Sequence, residues 1–130
     1  MIFLDTSAIY AMADVDDLYH NRARELFEKA LEEGETLILH NYIVVEACAL
    51  LLSRLGLDPA QRFLREVEAF QMHWVDPDTH RKAAEQFDQR GKSGLSFVDL
   101  VSFLVMRENN ISRFIGFDED FEREGFILYK

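Results

Sequence analysis

The sequence has little cysteine and little proline: it contains one cysteine, Cys48, and two prolines among 130 residues. A single cysteine excludes an internal disulfide, and it favours a reducing, cytoplasmic setting. Hydrophobic residues make up 48% of the chain, which is enough apolar surface for one core at this length. We therefore predict a single domain over residues 1–130.

Positive charge is also scarce. Lys and Arg number 14 against 24 Asp and Glu, which gives a formal net charge of −10. This balance ordinarily argues against a nucleic-acid partner, because phosphate binding relies on Lys and Arg. The sequence shows no positively charged leader before an apolar stretch and no apolar run long enough to span a bilayer. These two absences predict a protein that does not enter a membrane.

Short apolar segments alternate with amphipathic ones along the chain. Strands are predicted at residues 2–4, 37–39, 72–75, 113–117 and 126–129. Helices are predicted at 17–33, at 42–54 after a cap at Asn41, at the pairs Asp58-Pro59 and Asp76-Pro77, and from Phe97 to about Arg107 after a cap at Ser96. Trp74 and most phenylalanines are expected in the core. The alternation predicts an α/β fold with a mainly parallel central sheet and helices on both faces.

Two of the predicted strands end on an aspartate. Asp5 follows the apolar segment 2–4, and Asp118 follows the apolar segment 113–117. In open parallel α/β sheets, ligands bind outside the carboxyl ends of the strands. Each aspartate can equally cap a following helix, so both roles stay open at this point.

Two further acids lie in apolar helices. Glu46 has apolar or aromatic neighbours three and four positions away in YIVVEACALL, so its charge interrupts an apolar surface. An ion pair with a distant arginine is the alternative to a functional role. Asp99 takes the third helical position after Ser96, where its carboxylate completes a capping box. That position also lies near the predicted carboxyl edge of the sheet, and the two roles are compatible.

The four acids are predicted to converge at one edge of the sheet. Two carboxylates about 4 Å apart repel each other by on the order of 4 kcal/mol at an effective dielectric of ~20, so a cluster requires a cation or shifted protonation. The four histidines show no metal-binding spacing, and an oxygen-only donor set favours Mg²⁺ or Mn²⁺ over Zn²⁺. The chemistry predicted for such a site is metal-assisted phosphodiester hydrolysis.

Four segments, LDTSAI, VVEA, LSFVDLVSFLVM and GFDEDFEREGF, resemble in order and spacing the PIN-domain ribonucleases, especially the short VapC-type toxins of toxin–antitoxin systems. The resemblance spans the whole chain and implies a PIN-like three-layer fold with about five strands. It maps Asp5, Glu46, Asp99 and Asp118 onto the family's acidic cluster, which binds Mg²⁺ or Mn²⁺ and cleaves RNA. It also implies a homodimer and an antitoxin protein whose tail fills the active groove.

The same resemblance assigns supporting roles to hydroxyl groups beside the acids. Thr6 or Ser7 matches the hydroxyl next to the first aspartate, and Ser96 matches the one three residues before the third acid. The fourth acid is either Asp118 or Asp120. The family spacing, an acid followed three residues later by Phe, favours Asp118.

Arg90 and Lys92 are the basic residues predicted to lie nearest the site, in the turn before the Ser96 helix. They are candidate phosphate contacts, and an ordinary solvated helix terminus is the alternative. The sequence therefore predicts a metal-dependent endoribonuclease. Two alternatives stay open: a haloacid-dehalogenase-like phosphatase, whose first strand also ends on aspartate but whose second acid is replaced here by Ser7, and a catalytically silent PIN-like binding module.

Overall fold

A computed structural model of the protein describes residues 1–90 and 93–130. The strands within these residues are β1 (Ile2–Leu4), β2 (Leu37–His40), β3 (Gln71–His73), β4 (Arg113–Ile115) and β5 (Ile127–Leu128). The helices are α1 (Thr6–Ala13), α2 (His20–Glu32), α3 (Asn41–Leu55), α4 (Leu57–Glu66), α5 (Pro77–Gln89), α6 (Phe97–Glu108) and α7 (Asp120–Arg123), with a 3₁₀ turn at Val67–Ala69.

All five strands form one parallel sheet in the order β3-β2-β1-β4-β5. The central strand β1 is buried throughout and pairs with both neighbours, with Ile2 opposite Leu37 on one side and Arg113 on the other. Parallel neighbours need crossover connections, and the helices supply them. The predicted α/β class with a mainly parallel sheet is confirmed. The carboxyl ends of β1 and β4 lie side by side at one edge, which places Asp5 beside the chain that leads to Asp118.

Two of the predicted helix caps are confirmed and two are wrong. Asp76 and Ser96 cap α5 and α6 as predicted, each accepting a hydrogen bond from a backbone amide three residues on. Asn41 does not cap α3: His40 takes that role, and the Asn41 side chain accepts a bond from the amide of Val75. At α4 the cap is Gly56, whose positive φ of 102° suits glycine, and Asp58 falls in the first turn.

The core lies mainly against the sheet and is rich in phenylalanine. Phe3, Phe103, Phe114 and Phe121 are fully buried, and the rings of Phe103 and Phe121 meet edge to face with centroids 4.9 Å apart. Trp74 is 72% exposed, so the prediction that it packs in the core is wrong. It lies just beyond the end of the edge strand β3. Within the described residues no helix has both the length and the apolar composition needed to cross a bilayer.

Candidate active site

A cleft of about 780 Å³ opens at the carboxyl edge of the sheet, where β1 and β4 end. Its walls come from α1, from the loop before α2, from α3, from the start of α6 and from the segment after β4. The residues that line it are Asp5, Thr6, Ser7, Tyr10, Asp17, Tyr19, Glu46, Leu50, Arg54, Ser96, Asp99, Phe117, Asp118, Glu119 and Arg123. All four predicted acids are among them, together with Thr6, Ser7 and Ser96.

Asp5 is held at the end of β1 by two neighbouring segments. Its amide donates to the carbonyl of Ile115 at 3.0 Å, which continues the pairing with β4 beyond the last ladder residue. Its Oδ2 atom accepts a hydrogen bond from the Ser7 hydroxyl at 2.8 Å, and that same hydroxyl accepts one from the amide of Phe117 at 2.9 Å. Ser7 therefore links the first aspartate to the segment that carries Asp118.

Gly116 leaves the space that Asp5 occupies. A methyl group built on Gly116 would lie 3.1 Å from Asp5 Cβ and 3.4 Å from Asp5 Oδ2. A side chain here would therefore push against the first aspartate. The absence of a side chain at Gly116 lets the end of β4 pass closely over the carboxylate.

Burial sets the protonation of Asp5. Only 7% of the residue is exposed, and this desolvation raises its pKa from 3.8 to about 7. The Ser7 hydroxyl opposes the rise by stabilising the charged form, and the negative charge of Asp99 adds to it. A carboxylate in this state gains from a bound cation, because the cation offsets both the desolvation and the repulsion.

Asp99 is held by the capping box predicted from the sequence. The Ser96 hydroxyl accepts a bond from the Asp99 amide at 3.0 Å, and Asp99 Oδ2 accepts one from the Ser96 amide at 3.0 Å. Burial raises the pKa of Asp99, and the charge of Asp118 raises it further, while the bonds from Ser96 lower it. The cap therefore fixes one carboxylate oxygen while the residue still lines the cleft.

Glu46 and Asp118 lie on the rim of the same cleft. Glu46 is half-buried on α3, and within residues 1–90 and 93–130 no basic group forms a salt bridge with it, so the distant arginine is not found there. Asp118 is exposed, and its Oδ1 atom accepts a bond from the Asp120 amide at 3.0 Å. The Asp120 carboxylate lies 3.3 Å from Arg123, and its pKa is raised by burial, then by Asp118 and Asp99.

The acids share the cleft without forming a compact metal cage. In the part of the chain that the structure describes, no three Asp, Glu, His or Cys side chains come close enough together to form a ready-made metal site. All four carboxylates nevertheless line the one cleft at this edge of the sheet. The negative charge of Asp99 contributes to the raised pKa of Asp5, and that of Asp118 contributes to the raised pKa of Asp99.

The predicted phosphate contacts are placed differently. Arg90 caps the C-terminus of α5, binds the Glu124 carboxylate and is not among the residues that line the cleft. Lys92 lies outside the described residues. Arg54 lines the cleft instead, and its guanidinium lies over the Tyr10 ring, 5.1 Å from the centroid. A sequence signal existed: Glu46, Leu50 and Arg54 recur every four residues and so share one face of α3.

A buried polar pair connects α3 to α6, the two helices that carry Glu46 and Asp99. Ser102 donates to the carbonyl of Val98 at 2.9 Å, so its oxygen is free to accept a bond from His40 Nε2 at 2.8 Å. The His40 Nδ1 atom accepts from the amide of Ile43 at 3.2 Å. Burial lowers the pKa of His40 to about 3, so the imidazole stays neutral. The pair therefore joins the start of α3 to the middle of α6 without adding charge.

The family model of the PIN domain matches residues 2–127 of the chain. The chain belongs to the PIN-domain family. Two curated relatives, both named 23S rRNA-specific endonuclease VapC20, come from the strains CDC 1551 and H37Rv of Mycobacterium tuberculosis. Each is 30% identical over 129 residues, a span that covers 98% of this chain and 96% of the relative. This PIN domain thus resembles the VapC type, as its sequence indicated.

A solved structure agrees with the relationship. The crystal structure of Mycobacterium tuberculosis VapC20, described as a sarcin-ricin loop cleaving toxin, matches this PIN domain with a TM-score of 0.86 at 29% identity. The match covers 98% of this chain and 97% of that one. PIN-domain membership replaces the phosphatase alternative, which rested on the aspartate at the end of β1.

The donor set of this PIN domain fits a divalent cation. The acids offer only carboxylate oxygens, the ligands preferred by Mg²⁺ and Mn²⁺, and Mg²⁺ commonly binds through one or two carboxylates plus water and substrate phosphate. Asp5 and Asp99 supply such a pair. Beside them the buried Thr6 Oγ1 atom has no hydrogen-bond partner within the described residues. An unpaired oxygen on a residue that lines the cleft is consistent with a polar ligand nearby.

Proposed function

We propose that this PIN domain is a metal-dependent endoribonuclease that hydrolyses RNA phosphodiester bonds, and that it is the toxin of a toxin–antitoxin pair. The observation that carries the proposal is the pair of carboxylates formed by the buried Asp5 and the half-buried Asp99, each fixed by a serine within a cleft that Glu46 and Asp118 also line. The names of the relatives support it, since they describe an endonuclease specific for 23S rRNA and a toxin that cleaves the sarcin-ricin loop.

Asp5 and Asp99 would hold Mg²⁺ or Mn²⁺, with Glu46 and Asp118 completing its surroundings directly or through water. When bound, the ion supplies Lewis-acid chemistry: it lowers the pKa of a nearby water and offsets charge on the phosphate. Ser7 and Ser96 keep the two inner carboxylates oriented, and the low dielectric around Asp5 strengthens its attraction for a cation. No catalytic histidine is invoked, because His40 is buried and neutral.

Hydrolysis forms one P–O bond to water and breaks one P–O ester bond. The proton that leaves the water requires an acceptor, and we assign this role to Glu46, which is half-buried on the rim and has no salt-bridge partner among the described residues. The leaving oxygen departs with a proton from solvent, which reaches the open cleft.

Arg54 is proposed to contact a phosphate of the RNA. It is exposed at the end of α3 and, within residues 1–90 and 93–130, no carboxylate lies within salt-bridge distance of it. The other cleft arginine, Arg123, already binds Glu119 at 2.7 Å. A guanidinium that is not neutralised by a neighbour is the better phosphate ligand.

The remaining assignments follow from the VapC likeness and from charge. A net charge of −10 suits a basic partner, and we propose that a basic antitoxin segment occupies the acidic cleft and blocks it. A homodimer, implied by the resemblance, and a cytoplasmic location, favoured by the single cysteine, belong to the same proposal.

Cleavage of RNA by the purified protein tests the function. A mixed RNA pool and a transcript carrying the 23S sarcin-ricin loop are incubated with Mg²⁺ or Mn²⁺, with EDTA, and with the Asp99→Asn variant. Asp88→Asn serves as the matched control, because it removes an exposed carboxylate from α5 outside the cleft. We expect metal-dependent cuts by wild type and Asp88→Asn that vanish with EDTA and Asp99→Asn. A folded, partner-free protein that leaves both RNAs intact would favour the silent binding module.

A further inference from the structure

An aromatic pair lies in the wall of the cleft and has no role in the proposed chemistry. The rings of Tyr19 and Phe117 are stacked, with centroids 4.6 Å apart and planes 2° from parallel. Both residues line the cleft that contains Asp5 and Asp99. Tyr19 comes from the loop before α2, and Phe117 comes from the segment after β4, so the pair joins two walls of the site.

Hydrogen bonds fix the backbone on both sides of this stack. The Phe117 amide donates to Ser7, whose hydroxyl donates to Asp5 Oδ2, so the inner ring is two hydrogen bonds from the first carboxylate. The Tyr19 amide donates to Asp17 Oδ1 at 2.8 Å. The stack is therefore held in a defined position next to the carboxylates.

Tyr19 offers an aromatic face that remains available to a ligand. Phe117 covers one face of its ring, yet Tyr19 is 43% exposed, and its hydroxyl has no hydrogen-bond partner in the described part of the chain. The other tyrosine of the cleft, Tyr10, is engaged differently: Arg54 lies over its ring, and its hydroxyl donates to Asp14 at 2.7 Å. Tyr19 is thus the tyrosine of the cleft with an open face.

The charge of the cleft explains why such a face is useful. The lining contains six carboxylates, Asp5, Asp17, Glu46, Asp99, Asp118 and Glu119, against two arginines, Arg54 and Arg123. A polyanion gains little from phosphate contacts in these surroundings, even after a divalent ion has bound. Stacking on an uncharged ring gives affinity for RNA that does not depend on positive charge, and unpaired bases in RNA loops are commonly held in this way.

We propose that the open face of Tyr19 stacks an unpaired base of the RNA next to the scissile phosphate, with Phe117 supporting the ring from behind. This inference rests on the proposed ribonuclease function and names the part of the substrate that the cleft selects. The occupant is a nucleobase in a single-stranded segment. Loss of one base stack weakens binding by about fivefold to a hundredfold.

The test uses an RNA oligonucleotide that spans a mapped cut, with 2-aminopurine placed on either side of it. Binding is measured in Mg²⁺ in the Asp99→Asn background, and cleavage is measured in the otherwise wild-type protein. Tyr19→Phe keeps the ring, and Tyr19→Leu removes it while leaving an apolar side chain. Phe87→Leu is the matched control, since Phe87 is also 43% exposed but does not line the cleft.

With Tyr19→Leu we expect weaker binding by about fivefold to a hundredfold, a higher KM with little change in kcat, and loss of the 2-aminopurine quenching at one position. Tyr19→Phe and Phe87→Leu should both behave as wild type. Salt gives a second readout. Tyr19→Leu should keep the wild-type salt dependence of binding, whereas Arg54→Gln should reduce its slope by about 0.7.

Several results would overturn the inference. Unchanged binding and quenching in Tyr19→Leu would show that no base stacks there, while cleavage by wild type would leave the proposed function intact. Equal losses in Tyr19→Phe and Tyr19→Leu would assign the effect to the hydroxyl and not to the ring. Normal RNA binding together with weaker binding of a basic peptide by Tyr19→Leu would make the ring part of a protein-binding surface. Absence of both RNA binding and cleavage in wild type would remove the proposed function and this inference together.

Discussion

The inner wall of the cleft and its rim carry the same kind of side chain in different surroundings. Asp5 and Asp99 on the inner wall are each held by a serine, and burial raises the pKa of both. On the rim, Asp118 is exposed and Glu46 is half-buried, and no basic group within the described residues forms a salt bridge with either. The inner pair is therefore positioned before any ligand arrives, whereas the Glu46 side chain, which has no hydrogen-bond or salt-bridge partner among the described residues, is free to adjust.

The two regions suit two different roles of an acidic cluster: binding a cation, and accepting a proton or acting as an outer ligand. A cation site requires carboxylates that are oriented and poorly solvated, because such groups gain most from a positive charge. A proton acceptor or an outer ligand needs mobility and contact with water. The inner wall has the first set of properties and the rim has the second. Substitutions in the two regions should consequently have effects of different size.

The largest effect is expected for the inner wall. Asp5→Asn and Asp99→Asn should each lower kcat/KM for RNA by about a thousandfold or more, because each removes a proposed ligand of the ion. Substitution of a residue that only supports such a ligand typically lowers activity by about 10- to 100-fold. Glu46→Gln should cost about 10- to 100-fold. Initial rates at saturating Mn²⁺ and matched thermal unfolding check this order. A Glu46→Gln loss equal to that of Asp5→Asn would remove the distinction between wall and rim.

The raised pKa of Asp5 gives the next effect, measured without RNA. The folded pKa, about 7, lies above the ordinary 3.8, so between these values the native state keeps a proton that the unfolded chain releases. This contribution to the free energy of unfolding is present at low pH and is lost as the pH rises toward 7. It amounts to on the order of 4 kcal/mol.

The shifted pKa of His40 changes the free energy of unfolding with pH in the opposite direction. Its contribution cancels when two proteins that both contain His40 are compared. Its folded pKa of about 3 lies below the ordinary 6.5, so its contribution grows with pH up to that value. We therefore compare wild type with Asp5→Asn in EDTA by denaturant unfolding from pH 4.5 to 8. The variant should gain stability relative to wild type as the pH rises, and Mg²⁺ should reduce that gain. A difference that stays constant with pH would contradict the buried, proton-binding state of Asp5.

The choice between Asp118 and Asp120 gives a smaller effect. Asp118 lines the cleft, whereas the Asp120 carboxylate lies against Arg123. Asp118→Asn should lower cleavage by about 10- to 100-fold, as expected for an outer partner of a metal site. Asp120→Asn should leave the rate close to wild type. Rates at several Mg²⁺ concentrations distinguish loss of ion affinity from loss of turnover. A larger defect in Asp120→Asn would transfer the role of fourth acid to that residue.

Local sequence rules predicted the parts of this molecule that depend on local geometry. The capping box at Ser96 and Asp99, the cap at Asp76 and the parallel sheet all follow from short-range patterns, and each is present. The wrong predictions involve competition over longer distances. Asn41 was available as a cap, but its side chain binds Val75 on the strand connection next to it, and His40 replaces it.

The cleft shows the same limit. The acids could be named from the sequence because each interrupts an apolar pattern or ends a strand. Tyr19 could not, since it breaks no local rule and reaches the site only when the loop before α2 forms a wall of the cleft. For Arg54 the sequence offered only its place on the same face of α3 as Glu46. The distances between the carboxylates could not be predicted from the sequence either. The sequence predicted convergence at one edge, but those distances depend on side-chain directions that are set by the packing of the helices on the sheet.

The smallest effect is expected when one of the two hydrogen bonds that hold Asp99 is removed and its carboxylate is kept. Ser96→Ala removes the hydroxyl that accepts the Asp99 amide and should lower stability by about 1 kcal/mol, the usual cost of an N-cap. The Asp99 carboxylate still accepts the bond from the residue 96 amide, so cleavage should change little. Ser53→Ala, at an exposed position inside α3, controls for loss of a serine. Denaturant midpoints and cleavage rates measure both effects. If cleavage fell as far as in Asp99→Asn, the hydroxyl would be part of the site chemistry, because the backbone bond alone would then be insufficient to orient the carboxylate.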